Sequence, residues 1–280
     1  MDSRFQVRAL MHHDYDDIHR IAIENWEGED YLPHVFYKWL EDPGLLIGIE
    51  ETHINQIVAL AHVALLPDGT AWLEGLRVRS DFRNLGLSKI MMEHQIDYAK
   101  DLLHKGTITR IASSTYIKND ISIHLSISHG FRLYGSYLIL TWNPDGDMEE
   151  AVDIHPWDPT WDEIISLPYF SDTKQHIIQF FQVQQANEKW WNETKGDLSF
   201  FIINGFKGWI DERVEPHCVV LEPTRDSIIN WLHFTSFRIG KDASTVIYPK
   251  DALVEDLKKT NLLPWTDWIP DCLYFVYDPQ

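Results

Sequence analysis

The hydrophobic positions change period several times before residue 142, and each change marks an element. FQVRAL (5–10) alternates as a strand does, whereas HDYDDIHRIAIENW (13–26) places Ile18, Ile21 and Ile23 at helical spacing. YLPHVFYKWLED predicts a second helix. LLIGIE (45–50), INQIVALAHVALL (54–66) and AWLEGLRV (71–78) predict three antiparallel strands, with a PDG turn before the third. A long amphipathic helix follows, with Leu87, Ile90, Met91, His94, Tyr98 and Leu102 recurring every three or four residues and Lys105 and Gly106 closing it. ITRIASS (108–114) is read as a strand, NDISIHLSISHGF (119–131) as a short helix closed by Gly130, and LYGSYLILTW (133–142) as a long strand or strand pair. The order is β-α-α-β-β-β-α-β-α-β.

The stretch 142–160 is rich in Pro, Asp and Gly and has no periodicity, which predicts a linker and a division into domains at 1–145 and 146–280. Beyond it TWDEIISL and DTKQHIIQFFQ predict helices, and SFFIING, GWIDERV and HCVVLEP predict three short strands. RDSIINWLHFTSF, STVIYP, DALVEDLKK and CLYFVYDP complete a series whose order resembles that of the first half. The second half is therefore a degenerate structural repeat or a differently folded α/β partner.

Composition narrows the function. A hydrophobic content of 44% over 280 residues suffices for a core in either one or two domains. The net charge of −19, without a block of Lys and Arg, argues against nucleic acid as a partner. No run approaches the roughly 18 apolar residues of a membrane helix, and MDSRFQVRAL lacks the apolar core of a signal peptide, so a cytoplasmic location without membrane attachment is expected. Cys218 and Cys272 are expected as buried free thiols, and His53, His62 and His124 as surface or core histidines rather than metal ligands.

The candidate chemistry begins at RNLGLS (83–88), between a predicted strand and the long helix. A helix N-terminus presents unpaired amides and the positive end of the helix dipole. Gly86 lets the backbone approach a bulky anion, Ser88 is small, and Arg83 adds charge at the rim, an arrangement that suits a pyrophosphate.

LRVRSDFRNLGLSKIM resembles the coenzyme A signature of the GNAT superfamily of N-acetyltransferases, V-x-P-x-x-R/Q-x-x-G-x-G/A, and NDISIHLSISHGF resembles its downstream Asn-to-Gly-Phe element. Together they cover about residues 4–142. The chain is most similar to the two-domain branch that includes histidine N-acetyltransferase. The resemblance implies an α/β GNAT fold, a mixed and mostly antiparallel sheet with flanking helices, followed by a second α/β domain that is a degenerate GNAT-like repeat. It implies acetyl-CoA as co-substrate and no metal. Main-chain groups of Leu76, Arg77 and Val78 would pair with the pantetheine arm. Amides of Leu85, Gly86, Leu87 and Ser88 would hold the pyrophosphate with Arg83 alongside, and Asn119 would bond the arm. Ser88 departs from the usual Gly or Ala.

Acetyl transfer to an amine needs a base, a donor to the carbonyl oxygen, and a proton for the leaving thiolate. Glu74 is the candidate base, expected to share a face with Trp72, Leu76 and Val78, and its structural alternative is pairing with Arg77 or Arg79. The backbone amide near Val78 would be the oxyanion donor. Where the family commonly has a tyrosine acid, this chain has Ser126; His129 and Tyr134 are substitutes, or no acid is needed, since a thiolate leaves readily. In the family the loop between the first two helices and the last strands border the acceptor, which here selects Trp26, Glu27, Tyr31 and Tyr134, with Glu24, Glu29 and Asp30 nearby. The expected acceptor is the primary amine of a small molecule, such as the α-amine of an amino acid like histidine. The alternatives are a protein or polyamine acceptor, or a non-catalytic acyl-CoA sensor.

Overall fold

The computed structural model describes residues 4–25, 28, 30–142, 153–211, 217–239 and 243–278. The chain divides into two compact units, one of residues 1–113, 124–132 and 276–280, the other of residues 114–123 and 133–275. The units thus interleave along the chain, whereas the sequence division is a single cut after residue 145.

β1 (Phe5–Ala9), α1 (Tyr15–Ile23), α2 (Leu32–Glu41), β2 (Leu45–Glu51), β3 (Gln56–Leu65), β4 (Thr70–Val78) and α3 (Leu87–His104) lie in the first unit, which also holds the start of β5 (Arg110–Tyr116), and they follow one another as the hydrophobic periods predict. The sheet runs β1-β2-β3-β4-β5, antiparallel throughout except for the parallel pair β4–β5. One core gathers Ile18, Ile21, Leu32, Phe36 and Trp39 from α1 and α2 against Leu46, Ile57 and Leu60. Another sets Leu87 and Met91 of α3 and Phe82 against Ile47, Ile49, Val58, Ala59 and Ala61.

Two helical faces differ from expectation. Ile23 is 60% exposed and Ala22 is buried in its stead. In α3 the inward face is Leu87, Met91, Met92, Gln95, Ile96 and Ala99, while His94 points to solvent. A spacing of three to four residues is met by neighbouring stripes of one helix, and packing against the sheet selects between them.

The feature that shapes the site is a bulge in β4. Leu60 lies opposite Arg77 and His62 opposite Glu74, so three steps of β4 match two of β3. Gly75 sits at φ +69° there, and a Cβ on it would lie 2.6 Å from Cη2 of Trp39, so both the backbone and the overlying indole require glycine. Alternation restarts past the bulge. Glu74 and Arg77 share a face, while Leu76 and Val78 pack into the core beneath α3. The expected shared face of Trp72, Glu74, Leu76 and Val78 is corrected accordingly, because period-2 counting fails across an inserted residue.

α4 (Asp120–Ser128) precedes β6 (Phe131–Thr141), which is one long strand. The second unit continues with β7 (Ile154–Pro156), α5 (Trp161–Ile165), α6 (Pro168–Asp172), β8 (His176–Gln179), β9 (Gln182–Gln185), α7 (Glu188–Thr194), β10 (Leu198–Ile203), β11 (Phe206–Asp211), β12 (His217–Val220), α8 (Arg225–Ile239), β13 (Ser244–Ile247), α9 (Asp251–Leu257), β14 (Leu263–Pro264) and β15 (Cys272–Tyr277). β7–β10, β10–β11 and β11–β12 are antiparallel and β12–β13 is parallel, the same succession as in the first sheet. Trp231, Leu232 and Ile228 of α8 pack against Ile210, Cys218 and Val220. The predicted helix DTKQHIIQFFQ is instead the hairpin β8–β9, with Lys174, Gln175 and Phe180 at positive φ and Ile177 and Ile178 buried. Paired apolar residues fit either period, and the β-branched pair favours the strand. Both cysteines are buried free thiols.

Candidate active site

α3 begins at Gly86, at φ +76° and ψ 6°, without a side-chain cap and without an acidic residue in its first turn. Asn84 also has a positive φ, so the loop Arg83–Gly86 turns twice through the left-handed region. A Cβ on Gly86 would meet no described heavy atom within 4 Å. The glycine is therefore required by its backbone and opens onto free space. Leu85 is 50% exposed, Leu87 is buried, and Ser88 is half-buried. Arg83 donates from its guanidinium to Asn25 Oδ1 at 3.0 Å and to the Val78 carbonyl at 3.4 Å, which ties it to the rim. Uncapped amides, a Cβ-free approach and the lack of nearby carboxylates in the first turn fit a bulky anion such as a pyrophosphate.

β4 pairs with β5 only over Thr70–Trp72 and Arg110–Ala112, although β4 runs on to Val78. The main chain of Leu76, Arg77 and Val78 lies beyond this pairing, on the stretch where an extended ligand would add as a strand.

Glu74 is joined to neither Arg77 nor Arg79. Its Oε1 lies 2.9 Å from Nδ1 of His62. Arg77 donates to Asp30 Oδ2 at 2.8 Å, and Arg79 bonds Asp81 and Gln56. The expected structural pairing is corrected: the bulge turns Arg77 toward the loop before α2, and the cross-strand neighbour of Glu74 is a histidine. His62 is fully buried and stacks on Trp39 with centroids 4.4 Å apart and planes at 17°. Gln95 of α3 donates to the carbonyls of His62 at 2.7 Å and Glu74 at 3.3 Å, holding β3 and β4 together at this point.

Asp30 is buried, accepts the Leu32 amide at the start of α2, and pairs with Arg77. It is a structural carboxylate rather than part of a solvated acidic loop. Glu24 accepts the amide of Ser80 at 2.8 Å. Tyr31 lies beneath the Arg77 guanidinium at 5.7 Å and meets Trp39 edge-on. Desolvation pushes its hydroxyl well above the ordinary phenol range, opposed by Arg77 and reinforced by Glu74 and Asp30, so the phenol stays protonated. Trp26, Glu27 and Glu29 lie outside the described residues.

Ser126 is buried in α4, and His129 donates from Nδ1 to the Leu125 carbonyl at 2.7 Å. Asn119 accepts the Ser122 amide at 3.1 Å and starts α4, within the second compact unit. Tyr134, in the same unit, is 48% exposed, lies edge-on to His176 and Tyr274, and carries Lys174 over its ring at 5.3 Å. Sequence inspection did not connect His62 with Glu74 and did not single out Trp39. A strand histidine facing a strand glutamate is visible only once the bulged register is known.

Among the described residues no group of three His, Cys, Asp or Glu side chains could hold a metal ion, and no helix is long and apolar enough to cross a membrane.

Residues 9–131 match the model of the acetyltransferase (GNAT) family. A histidine N-acetyltransferase of Oreochromis niloticus is 26% identical over 107 residues, 38% of this chain and 32% of the relative. The histidine N-acetyltransferase of Scomber australasicus is 24% identical over 107 residues, with the same coverage. The chain thus spans about a third of the length of these curated relatives. Among solved structures, a GCN5-related N-acetyltransferase from Sphaerobacter thermophilus superposes with a TM-score of 0.65 at 12% identity, over 99% of this chain and 96% of that one. A putative acetyltransferase from Pyrococcus horikoshii gives 0.62 at 11% identity, over 100% and 91%. At these identities the likeness is one of fold. It extends across the second half, whose strand succession matches that of the first sheet.

Proposed function

We propose, from the premise that residues 9–131 are a GNAT acetyltransferase domain, that this protein transfers an acetyl group from acetyl-CoA to the primary amine of a small molecule, with the α-amine of an amino acid such as histidine as the leading candidate. The observation that carries the reading is the joint presence, in one unit, of an uncapped glycine-led helix N-terminus and a partly exposed glutamate beside the bulge. Amides of Leu85, Gly86, Leu87 and Ser88 would hold the pyrophosphate, Arg83 would flank it, and the main chain of Leu76, Arg77 and Val78 would hold the arm. Acetyl-CoA, when bound, supplies an activated thioester whose C–S bond breaks as the new C–N bond forms.

Glu74 would take the proton that the amine gives up, since its side chain is 22% exposed and reaches solvent. The amide near Val78 would donate to the carbonyl oxygen as it gains negative charge. Tyr31, beneath the Arg77 guanidinium and kept protonated by desolvation, would offer a ring face and a hydroxyl to the acceptor. Supporting the amino-acid acceptor are the curated relatives, which are named histidine N-acetyltransferases.

The test is thiol release from acetyl-CoA across a panel of amino acids, polyamines and peptide N-termini. Turnover confined to free amino acids supports the reading. Preference for peptides or polyamines overturns the acceptor, and CoA binding without turnover on any amine overturns the enzyme.

A further inference from the structure

We propose that His62 is a positioning residue for Glu74, its Nδ1–H holding one carboxylate oxygen so that the other is left for the acceptor amine. The inference rests on the reading of Glu74 as the base. His62 stands on β3 directly opposite Glu74, at the point where the bulge begins. Its ring is 0% exposed, its Nδ1 lies 2.9 Å from Oε1 of Glu74, and its Nε2 is buried with no hydrogen-bond partner among the described residues. A buried nitrogen without a partner is destabilising, because its desolvation is not repaid. An apolar ring would fill the same space under Trp39 without that cost. The single polar contact that the imidazole gains in return is Glu74.

The geometry also separates positioning from proton relay. A carboxylate oxygen can only accept, so in the neutral ring the proton belongs on Nδ1, and Nε2 is left with a lone pair facing no donor. A relay needs a second partner to pass the proton to, and Nε2 has none among the described residues. The proton taken by Glu74 therefore leaves through the exposed side of the carboxylate, 22% open to solvent. Two supports hold the pair. Trp39 of α2 stacks on the ring, and Gln95 of α3 ties the His62 and Glu74 main chains.

His62→Phe keeps an aromatic ring under Trp39 and removes the donor; His62→Asn can return an N–H near the Nδ1 position. In steady-state kinetics His62→Phe should lower kcat about tenfold, the worth of one hydrogen bond to a charged group, with the KM for acetyl-CoA within about twofold. His62→Asn should recover most of kcat. A folded His62→Phe with kcat within about twofold of wild type, or a His62→Asn no better than His62→Phe, overturns the proposal.

Nitrogen-15 NMR of the wild-type ring reads the contact without turnover. The proton is expected on Nδ1, with its resonance moving in Glu74→Gln; a proton on Nε2, or an unmoved resonance, overturns the proposal even where His62→Phe fails to fold. If Glu74→Gln keeps its kcat, the base reading itself falls. If Glu74→Gln loses kcat and His62→Phe does not, only the positioning role falls.

Discussion

Gly86 separates the demands of a turn from the demands of a ligand. At φ +76° an L-residue pays about 1–2 kcal/mol of backbone strain, and because a Cβ there meets no described atom within 4 Å, no steric term adds to it. Gly86→Ala should therefore cost about 1 kcal/mol, a fall in Tm of roughly 2–4 °C. Asn tolerates the left-handed region, so Gly86→Asn should cost less stability while placing more atoms in the open space. Gly86→Glu puts a negative charge where the helix end favours an anion and should weaken CoA binding at least about tenfold, or 1.4 kcal/mol. Calorimetric titration with CoA and thermal melts on the same samples give both quantities. Affinity should fall in the order wild type, Ala, Asn, Glu, while stability follows a different order, with Asn ahead of Ala. If Asn and Glu bind CoA as wild type does, the glycine serves the turn alone and the pyrophosphate seat is misplaced.

Glu74→Gln should lower kcat by about 10²-fold, with recovery at alkaline pH where the free amine supplies itself; steady-state profiles check this. Ser126→Ala should lower kcat by less than about fivefold, below about 1 kcal/mol, and Ser126→Tyr should not raise it, since the position is buried in α4. Gly75→Ala should destabilise by about 2–4 kcal/mol in a denaturant titration, summing left-handed strain and overlap with the Trp39 indole. His217 is driven down to about 4 by burial, against a partial rise from its bond to Ile178, so it stays neutral while an unfolded chain would take up a proton below the ordinary histidine value. Its contribution is intact above about pH 6.5 and is lost as pH falls toward 4, up to about 3 kcal/mol; the urea midpoint should fall over that window, and less steeply in His217→Gln.

Much of the first unit was legible because its elements carry clean periods and distinct stops: Gly106 after α3, Gly130 after α4, a PDG turn before β4. The left-handed turn that starts α3 was legible for a similar reason, since a glycine between strand and helix has few structural uses. Beyond that, local pattern fails where one inserted residue changes a face. Counting by twos from Glu74 puts Leu76 and Val78 beside it, and only the register of β3 against β4 shows that Arg77 takes that place. His62 is the core histidine that the sequence allows, and its contact with Glu74 was not legible because the partner lies across the sheet rather than along the chain. DTKQHIIQFFQ failed differently: adjacent apolar residues satisfy a helix and a hairpin equally, and positive φ at Lys174, Gln175 and Phe180 is a tertiary outcome that residue type does not announce.

The two sheets share a strand succession, yet their central helices begin in opposite ways. α3 starts from a left-handed glycine with its first amides uncapped and no acid in its first turn, a start that forgoes the roughly 1 kcal/mol a good cap contributes. At the corresponding start of α8, Ser227 donates its amide to Thr224 Oγ1 at 3.2 Å and accepts the Thr224 amide at 2.8 Å, while its hydroxyl bonds the Glu222 carbonyl. Asp226 adds a negative charge in that first turn. A helix start closed in this way is stable by itself and repels an anion; the other keeps its amides unspent. The second unit thus keeps the same succession, with burial of Trp231 and Ile228 holding α8 on its sheet, and closes its helix start, because that start depends on a few cap residues that the core does not constrain. In this chain what occupies the first turn, and not the sheet beneath it, decides whether a helix start is open to an anion.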